Sequence, residues 1–358
     1  MPETTSVKAV CEPIDWYRLR QWMAEQSLGS GPIEDIELLG GGTQNILARF
    51  RHGTEHFVLR RPPPVPRQNS NETMLREAAV LRALEGTAVP HPAVIAVCRD
   101  QTILGAVFYL MEAVRGFNAT DGLPAPHRND PQLRFRMGLA LVESIAALGS
   151  IDYREVGLEG FGKPGGFLER QTGRWRAHLE SYSEHTNWPG PASLPHLSNI
   201  DRWLEDNLPR SSYRPGIMHG DFHVGNVLYR HDSGDIAAVV DWELATIGDP
   251  LLDLAWLLAT WPDQDGALPN PDIAIHPQTG FPNQAQLIRH YRDCGARDVT
   301  AISWYVVLAC YKLAIILEGT HARACAGKAP IATGTKLHAV ALRLLERARR
   351  WMHSDSPV

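Results

Sequence analysis

Ten residues carry most of the information in this chain: His219-Gly220-Asp221-Phe222-His223-Val224-Gly225-Asn226-Val227-Leu228. Asp221 and Asn226 stand five positions apart in a glycine-containing loop between two apolar runs, and Asp241 ends the next apolar run. Phosphoryl transfer from a nucleotide requires a carboxylate that orients the acceptor hydroxyl and oxygen ligands that hold Mg²⁺ on the phosphates. The pattern predicts that Asp221 is the catalytic base and that Asn226 and Asp241 are the metal ligands.

Size and composition are typical of a globular enzyme with two lobes. The chain has 358 residues, of which 44% are hydrophobic and 21% charged, and this length is large for a single core. A net charge of -5 gives no reason to expect nucleic acid or a membrane surface as a partner. Nothing in the sequence fixes the oligomeric state.

Features of the ends and of the cysteines favour a cytoplasmic protein. The five cysteines show no CxxC pair, which suggests reduced thiols. Residues 1–15 lack the basic and apolar segments of a signal peptide. The longest apolar run, 302–317, is interrupted by Lys312. We expect it to be a buried helix, too short to span a bilayer.

The first third of the chain predicts an α+β lobe around an antiparallel sheet. Asp15 is placed to cap a helix that extends to about residue 28. Short alternating segments separated by glycine turns predict strands at 36–39, 45–50, 56–60, 94–97 and 106–111, with a helix at 72–85.

The rest of the chain is predicted to be mostly helical. Helices are expected at 133–148, 167–185, 251–260, 284–294, 302–317 and 336–352, and strands near 217–218, 227–229 and 236–240. We therefore divide the chain into a helical extension (1–32), a nucleotide-binding N-lobe (33–111), a hinge (112–118) and a C-lobe (119–358).

The motif His219-Gly220-Asp221-x-His223-x-x-Asn226, followed by Asp241-Trp242-Glu243, resembles that of the aminoglycoside phosphotransferase and choline kinase group, relatives of protein kinases. The resemblance implies a bilobal protein-kinase-like fold, Mg²⁺, and ATP or GTP as the phosphoryl donor. His223 stands where protein kinases keep a lysine that touches the transferred phosphate. We interpret His223 either as a phosphate contact or as the partner in a local structural hydrogen bond.

The resemblance also assigns roles in the N-lobe. Backbone amides of the turn that contains Gly41, Gly42 and Thr43 would lie on the phosphates. The chain has no lysine between Lys8 and Lys163, so Arg60 takes the position of the phosphate-binding lysine. Glu77 interrupts the apolar stripe of its helix, and a buried carboxylate needs a cation.

Further acidic and hinge positions complete the prediction. The resemblance implies that Glu77 pairs with Arg60, and that the main-chain oxygen of Glu112 and the amide of Val114 bind adenine. Asp249, before Pro250, is predicted to cap a helix. Asp253, in an apolar segment, is assigned to bracing the catalytic loop.

Within the group, Val58-Leu59-Arg60-Arg61-Pro62-Pro63 and Glu169-Arg170-Gln171-x-x-x-Arg174-Trp175 look most like the kinase-like domain found fused to acyl-CoA dehydrogenases. That subgroup suggests a small-molecule acceptor with an alcohol group, either a hydroxy acid or hydroxyacyl compound or an amino sugar. Arg170, Arg174 and Arg176 would suit an anionic acceptor, although they also fit an ordinary exposed helix face.

Three alternatives were weighed. His219 and His223 are four apart, a spacing that binds zinc on a helix, but Gly220 and Gly225 argue against a helix. A protein kinase needs an activation segment, for which 241–249 leaves almost no room. A nucleotide-binding pseudokinase fits the loss of the lysine, while the retention of Asp221, Asn226 and Asp241 favours an active enzyme.

Overall fold

The computed structural model describes residues 14–40, 45–64, 69–209, 213–295 and 297–353. The chain divides into two compact units. One comprises the residues up to Arg115 together with Ala238–Glu243, and the other comprises Gly116–Ala237 and the residues from Leu244 onward. The return of Ala238–Glu243 to the first unit was not foreseen from the sequence, because no composition change marks it.

The first unit is built on a five-stranded antiparallel sheet. Its strands are β1 (Ile33–Leu38), β2 (Ile46–His52), β3 (Glu55–Arg61), β4 (Val94–Cys98) and β5 (Phe108–Glu112), in the order β1-β2-β3-β5-β4. Its helices are α1 (Trp16–Glu25), α2 (Ser70–Ala83) and α3 (Gln101–Leu104). The predicted sheet is confirmed. The short helix α3 was missed because four residues give no readable period.

The alternation of side chains along β3 separates the core from the charged site. Phe57 and Leu59 belong to a hydrophobic cluster with α1, where the ring of Trp22 meets that of Phe108 at 4.9 Å. Successive side chains of a strand point to opposite faces, so Arg60 faces away from that cluster. As predicted, the Asp15 carboxylate caps α1 by accepting the amide of Arg18 at 3.0 Å.

The second unit is mainly helical. Its helices are α4 (Ala125–Asn129), α5 (Pro131–Ser150), α6 (Gln171–Glu180), α7 (Leu197–Asp206), α8 (Leu251–Thr260), α9 (Gln284–Asp293), α10 (Ile302–Cys325) and α11 (Ile331–His353). Its short strands form two pairs: β6 (Gly216–Met218) with β9 (Thr246–Gly248), and β7 (Val227–Tyr229) with β8 (Ile236–Val239). The α+β class with a small antiparallel sheet and a helical second part is therefore confirmed.

Two helix predictions need correction. The single helix expected at 167–185 is only α6, followed by a 3-10 turn at Ser181–Glu184, because Gly166, with φ +59°, still belongs to the preceding loop. α7 was missed. It follows His196, whose φ is +63° and whose side chain makes no cap hydrogen bond, so the usual start signal is absent.

α10 is longer than the sequence suggested. It has 24 residues, which by length and composition is enough to cross a membrane, so the expectation that the run was too short is wrong. The expectation of burial is confirmed, since 72% of its most apolar window is buried inside the protein. That burial is sufficient to account for its apolar composition.

A buried arginine closes the end of α8. The guanidinium of Arg347, on α11 and 2% exposed, donates to the carbonyl oxygens of Ala259 at 2.9 Å, Trp261 at 2.6 Å and Ala267 at 3.0 Å. The last carbonyls of a helix have no partner within it. Arg347 therefore satisfies the carbonyls of Ala259 and Trp261 in buried hydrogen bonds and that of Ala267 in a part-buried one.

We predict that Arg347→Met lowers the free energy of unfolding by about 3 kcal/mol, because several buried carbonyls lose their donor. Urea denaturation measures the change. Arg349→Met is the matched control on the same helix, where the exposed Arg349 pairs with Glu346, and such pairs contribute about 0–1 kcal/mol. Equal losses in the two variants would contradict the assignment.

Candidate active site

The predicted catalytic loop joins β6 to β7 in the second unit. The indole nitrogen of Trp256, on α8, donates to the Asp221 Oδ1 at 2.8 Å. The side-chain nitrogen of Asn226 donates to the Asp221 main-chain oxygen at 3.0 Å and to its Oδ2 at 3.2 Å. The structure thus brings Asp221 and Asn226 together. With its nitrogen engaged, the amide of Asn226 has its oxygen left to accept a metal.

Asp253 stabilises the backbone of this loop, as predicted. Its carboxylate is 1% exposed and accepts the main-chain amides of His219 at 2.7 Å and Gly220 at 2.9 Å. Burial raises the pKa of Asp253, while the two amides and the nearby His219 lower it. Gly220 has φ +84°, and a Cβ there would lie 2.4 Å from the Leu244 carbonyl oxygen. Only glycine fits that turn.

Asp249 differs slightly from its predicted role. The structure assigns the N-cap of α8 to Pro250, one residue later than expected. The Asp249 carboxylate still accepts the amide of Leu251 at 3.1 Å, and it also accepts the hydroxyl of Tyr305 at 2.6 Å. Its structural role is therefore kept, with the helix boundary shifted.

His223 makes the local hydrogen bond that was one of its two interpretations. Its Nδ1 accepts the amide of Gly225 at 3.0 Å, and its Nε2 lies 3.6 Å from the Asp221 Oδ1. A direct role for His223 in catalysis stays a prediction. Within the described part of the chain, His219 and His223 do not belong to a group of three ligand atoms close enough to share a metal. The zinc alternative at this loop thus gains no support.

Lys312 is a functional candidate that the sequence did not reveal. Its ammonium group, on α10, lies 3.4 Å from the carbonyl oxygen of Gly220 and 4.4 Å from the centre of the Trp256 ring. Burial lowers the pKa of Lys312 to about 8, although Asp221 and Asp253 raise it. The only signal for it in the sequence is a lysine in an otherwise apolar helix.

The arginines of α6 and the preceding residue have different partners. Arg170 donates to the carbonyls of Lys163, at 2.7 Å, and Gly165. Arg176 pairs with Asp201 at 2.6 Å and with Glu205. These contacts indicate structural roles for Arg170 and Arg176. Arg174 instead lies over the ring of Trp175 at 5.5 Å, and Lys312 is at the same distance from that ring.

The first unit contains the predicted cation. The Arg60 side chain is 5% exposed, and its Nε lies 2.8 Å from the Glu77 Oε2, which confirms the predicted pair. Its Nη2 lies 2.7 Å from the Asp241 Oδ1 and 3.5 Å from the Glu243 Oε2. Burial opposes the charge on Arg60, but Glu77 and Asp241 outweigh it and raise its pKa. Burial also raises the pKa of Glu77 to about 7, against the effect of Arg60.

This cluster has more negative than positive charge. Arg60 supplies one cation to the carboxylates of Glu77, Asp241 and Glu243. Asp241 is the most open of them, with 39% of its side chain exposed, and its backbone has φ +67°. A non-glycine residue in that conformation is uncommon and occurs often at functional positions. The donor set fits a divalent cation bound at Asp241.

The predicted nucleotide site also includes the glycine turn and the hinge. Gly41, Gly42 and Thr43 lie outside the described residues. Glu112 is the last residue of β5, where its amide donates to the Ala93 carbonyl at 2.9 Å. The adenine contacts of Glu112 and Val114 stay predictions.

Comparison with known proteins relates this geometry to a family. The family model described as the phosphotransferase enzyme family matches residues 35–287. Acyl-CoA dehydrogenase family member 11 of Rattus norvegicus is 32% identical over 289 residues, 79% of this chain and 35% of that protein. Member 10 of Mus musculus is 28% identical over 85% of this chain and 28% of that protein. The chain thus spans about a third of the length of these relatives.

Solved structures show the same fold. A protein from Ralstonia eutropha JMP134 named for the aminoglycoside phosphotransferases has a TM-score of 0.76 and 26% identity, over 94% of this chain and 99% of that one. A complex of APH(2")-IIIa with GDP and kanamycin has a TM-score of 0.61 and 18% identity, over 92% and 98%. A mutant of APH(4)-Ia with ADP and hygromycin B gives 0.59 and 16%, over 94% and 99%.

The resemblance inferred from the catalytic motif is confirmed, and so is the kinase-like fold. The match extends from the first strand of the sheet to α9. It includes Asp221, Asn226 and Asp241. This chain belongs to the phosphotransferase enzyme family.

Proposed function

We propose that this chain is a small-molecule kinase that transfers the γ-phosphoryl group of ATP or GTP to an alcohol group. The observation that supports this best is the state of Asp221, whose carboxylate is oriented by Trp256 and Asn226 in a loop braced by Asp253. A base must be held in place before its substrate arrives. A mere turn-forming aspartate has no need of such support.

The proposed reaction uses the residues that the sequence singled out. The acceptor oxygen forms a bond to the γ-phosphorus, its proton passes to the Asp221 carboxylate, and the bond from phosphorus to the β–γ bridging oxygen breaks to release the nucleoside diphosphate. Asn226 and Asp241 would hold Mg²⁺, which supplies charge neutralisation on the phosphates. Arg60 would bind phosphate oxygens, positioned by Glu77.

The donor is the less specific part of the proposal. Relatives of the same fold are complexed with ADP or with GDP, so both nucleotides remain candidates. Gly41, Gly42 and Thr43 would contact the phosphates, and the main chain of Glu112 and Val114 would contact the base. His223 would stay near the transferred phosphate.

Charge at the catalytic loop favours an anionic acceptor over a cationic amino sugar. Lys312 and Arg174 both lie against Trp175, and Lys312 is electrostatically coupled to Asp221. Cations at Lys312 and Arg174 would repel an aminoglycoside and attract a carboxylate or phosphate group. We therefore propose a hydroxy acid or hydroxyacyl compound as the acceptor.

The second candidate is a pseudokinase that binds nucleotide without transfer. It is favoured by Arg60, which replaces the usual lysine and is already engaged by carboxylates. Incubation with Mg²⁺ and ATP or GTP, with hydroxy acids, hydroxyacyl compounds, amino sugars and amino alcohols, separates the two functions. Nucleotide binding without acceptor-dependent diphosphate release would select the pseudokinase.

We expect Asp221→Asn to lower kcat about 10²–10⁴-fold, because the amide cannot take the proton of the acceptor. Diphosphate release with the best acceptor measures the effect, and nucleotide affinity should change little. Asp232→Asn, at a side chain 70% exposed, is the control and should be as active as the natural chain. Equal turnover by all three proteins would remove Asp221 from its role.

Activity should fall as the pH rises through about 8. The lowered pKa of Lys312 makes it a cation below that pH and neutral above it, so its attraction for an anionic acceptor disappears there. Lys312→Arg keeps its charge and should lose this limb of the pH profile. Lys312→Met should raise the acceptor KM about 10-fold with little change in the nucleotide KM.

The control for this measurement is Lys336→Met, since Lys336 is exposed and pairs with Asp272. It should retain the profile of the natural chain. A limb near pH 8 that persists in Lys312→Arg would assign the titration to another group.

Arg60→Met should lower the free energy of unfolding by about 3–5 kcal/mol, because Glu77 is left as a buried carboxylate without its cation. Urea denaturation of Arg60→Met and of Arg60→Met with Glu77→Gln tests this, and the second change should restore part of the loss. Arg60→Lys should fold and keep activity if the cation serves the phosphates. A double variant as unstable as Arg60→Met would show that charge at Glu77 is not the cause.

A further inference from the structure

A cluster of metal-ligating side chains lies on α10 and α11, apart from the residues assigned above. The Glu318 Oε1 is 3.0 Å from the His321 Nδ1, and its Oε2 is 2.6 Å from the His338 Nδ1. The ligand atoms of Glu318, His321 and His338 all lie within 4.8 Å of one another. The two imidazole rings are 4.3 Å apart between centroids.

The charge of Glu318 requires compensation. Its side chain is fully buried, and the ion pairs recorded for it within the described residues are those with His321 and His338. An isolated buried carboxylate is strongly unfavourable. A bound cation would supply this compensation without placing two charged rings 4.3 Å apart, where they would repel each other.

Neighbouring groups orient the set as outer partners do in metal centres. The indole nitrogen of Trp188 donates to the Glu318 Oε1 at 2.8 Å. The His321 Nε2 lies 3.4 Å from the Cys325 Sγ. A carboxylate accepts a hydrogen bond better than a thiol sulfur does, so without a metal the His321 Nδ1–H donates to Glu318. A metal ion bound at Nδ1 would take the place of that proton, with the Nδ1 and the carboxylate oxygen already directed at one point.

We propose that Glu318, His321 and His338 bind a divalent transition-metal ion of the Zn²⁺ class. Two imidazole nitrogens and one carboxylate oxygen are ligands that suit Zn²⁺ rather than Mg²⁺. Tetrahedral ligands at 2.0–2.1 Å lie about 3.3 Å apart, so small side-chain rotations convert the observed contacts into a coordination shell. Trp188 and Cys325 supply the outer hydrogen bonds.

The site would act on structure, at the junction of two long helices. His338 comes from α11, and Glu318 and His321 from α10. α10 also carries Lys312, six positions before Glu318. A metal ion would therefore fix the helix that presents Lys312, without taking part in phosphoryl transfer.

The test uses the full chain, stripped with EDTA and titrated with ZnCl₂ in the absence of nucleotide. We expect one Zn²⁺ per chain by calorimetry and elemental analysis, with Mg²⁺ unable to displace it. Thermal unfolding should shift upward by about 5 °C or more at saturating Zn²⁺. Uptake of no zinc by the natural chain, with no thermal shift, overturns the proposal.

Two variants and one control locate the site. His338→Gln and Glu318→Gln should each weaken Zn²⁺ binding at least about 100-fold, and Glu318→Gln removes the buried charge, so its metal-free form should fold at least as well as the natural chain. His290→Ala is the control. His290 pairs with Glu143 at 2.9 Å and should leave binding unchanged. Full zinc binding in both cluster variants overturns the assignment, because the bound zinc would then be held by other residues.

Discussion

The paired hydrogen bonds from the amides of His219 and Gly220 to the Asp253 carboxylate are the constraint on which the catalytic loop depends. They lie in the interior, where a lost hydrogen bond is not replaced by water. α8 contributes both Asp253 and Trp256, so one helix fixes the backbone of the loop and the carboxylate of Asp221. The position of Asp221 is thus set by the core of the second unit.

α8 is itself held at its far end. Arg347 binds carbonyls in and just after its last turn, and α10 packs along it with Lys312 directed at the Trp256 ring. The cations of this unit therefore have distinct tasks. Arg347 satisfies carbonyls, Arg176 pairs with acids, and Lys312 and Arg174 share the ring of Trp175.

Much of this could be predicted from the sequence, where a local pattern carried a physical requirement. Asp221 and Asn226 were predicted from the glycine-containing loop. Glu77 was predicted because it is an acid in an apolar stripe, and Arg60 because the usual lysine is missing. The role of Lys312 could not be predicted because its partners, Gly220 and Trp256, are distant in sequence. The cluster at Glu318 could not be predicted for the same reason. His338 comes from another helix, and no spacing rule relates His338 to His321.

The backbone conformation of Asp241 limits which residues can replace it during evolution. Its φ of +67° is tolerated by asparagine and glycine but disfavours most larger residues. Single-base changes in an aspartate codon lead to both. The replacements that this backbone accepts most readily therefore remove the carboxylate while they keep the local conformation of the chain.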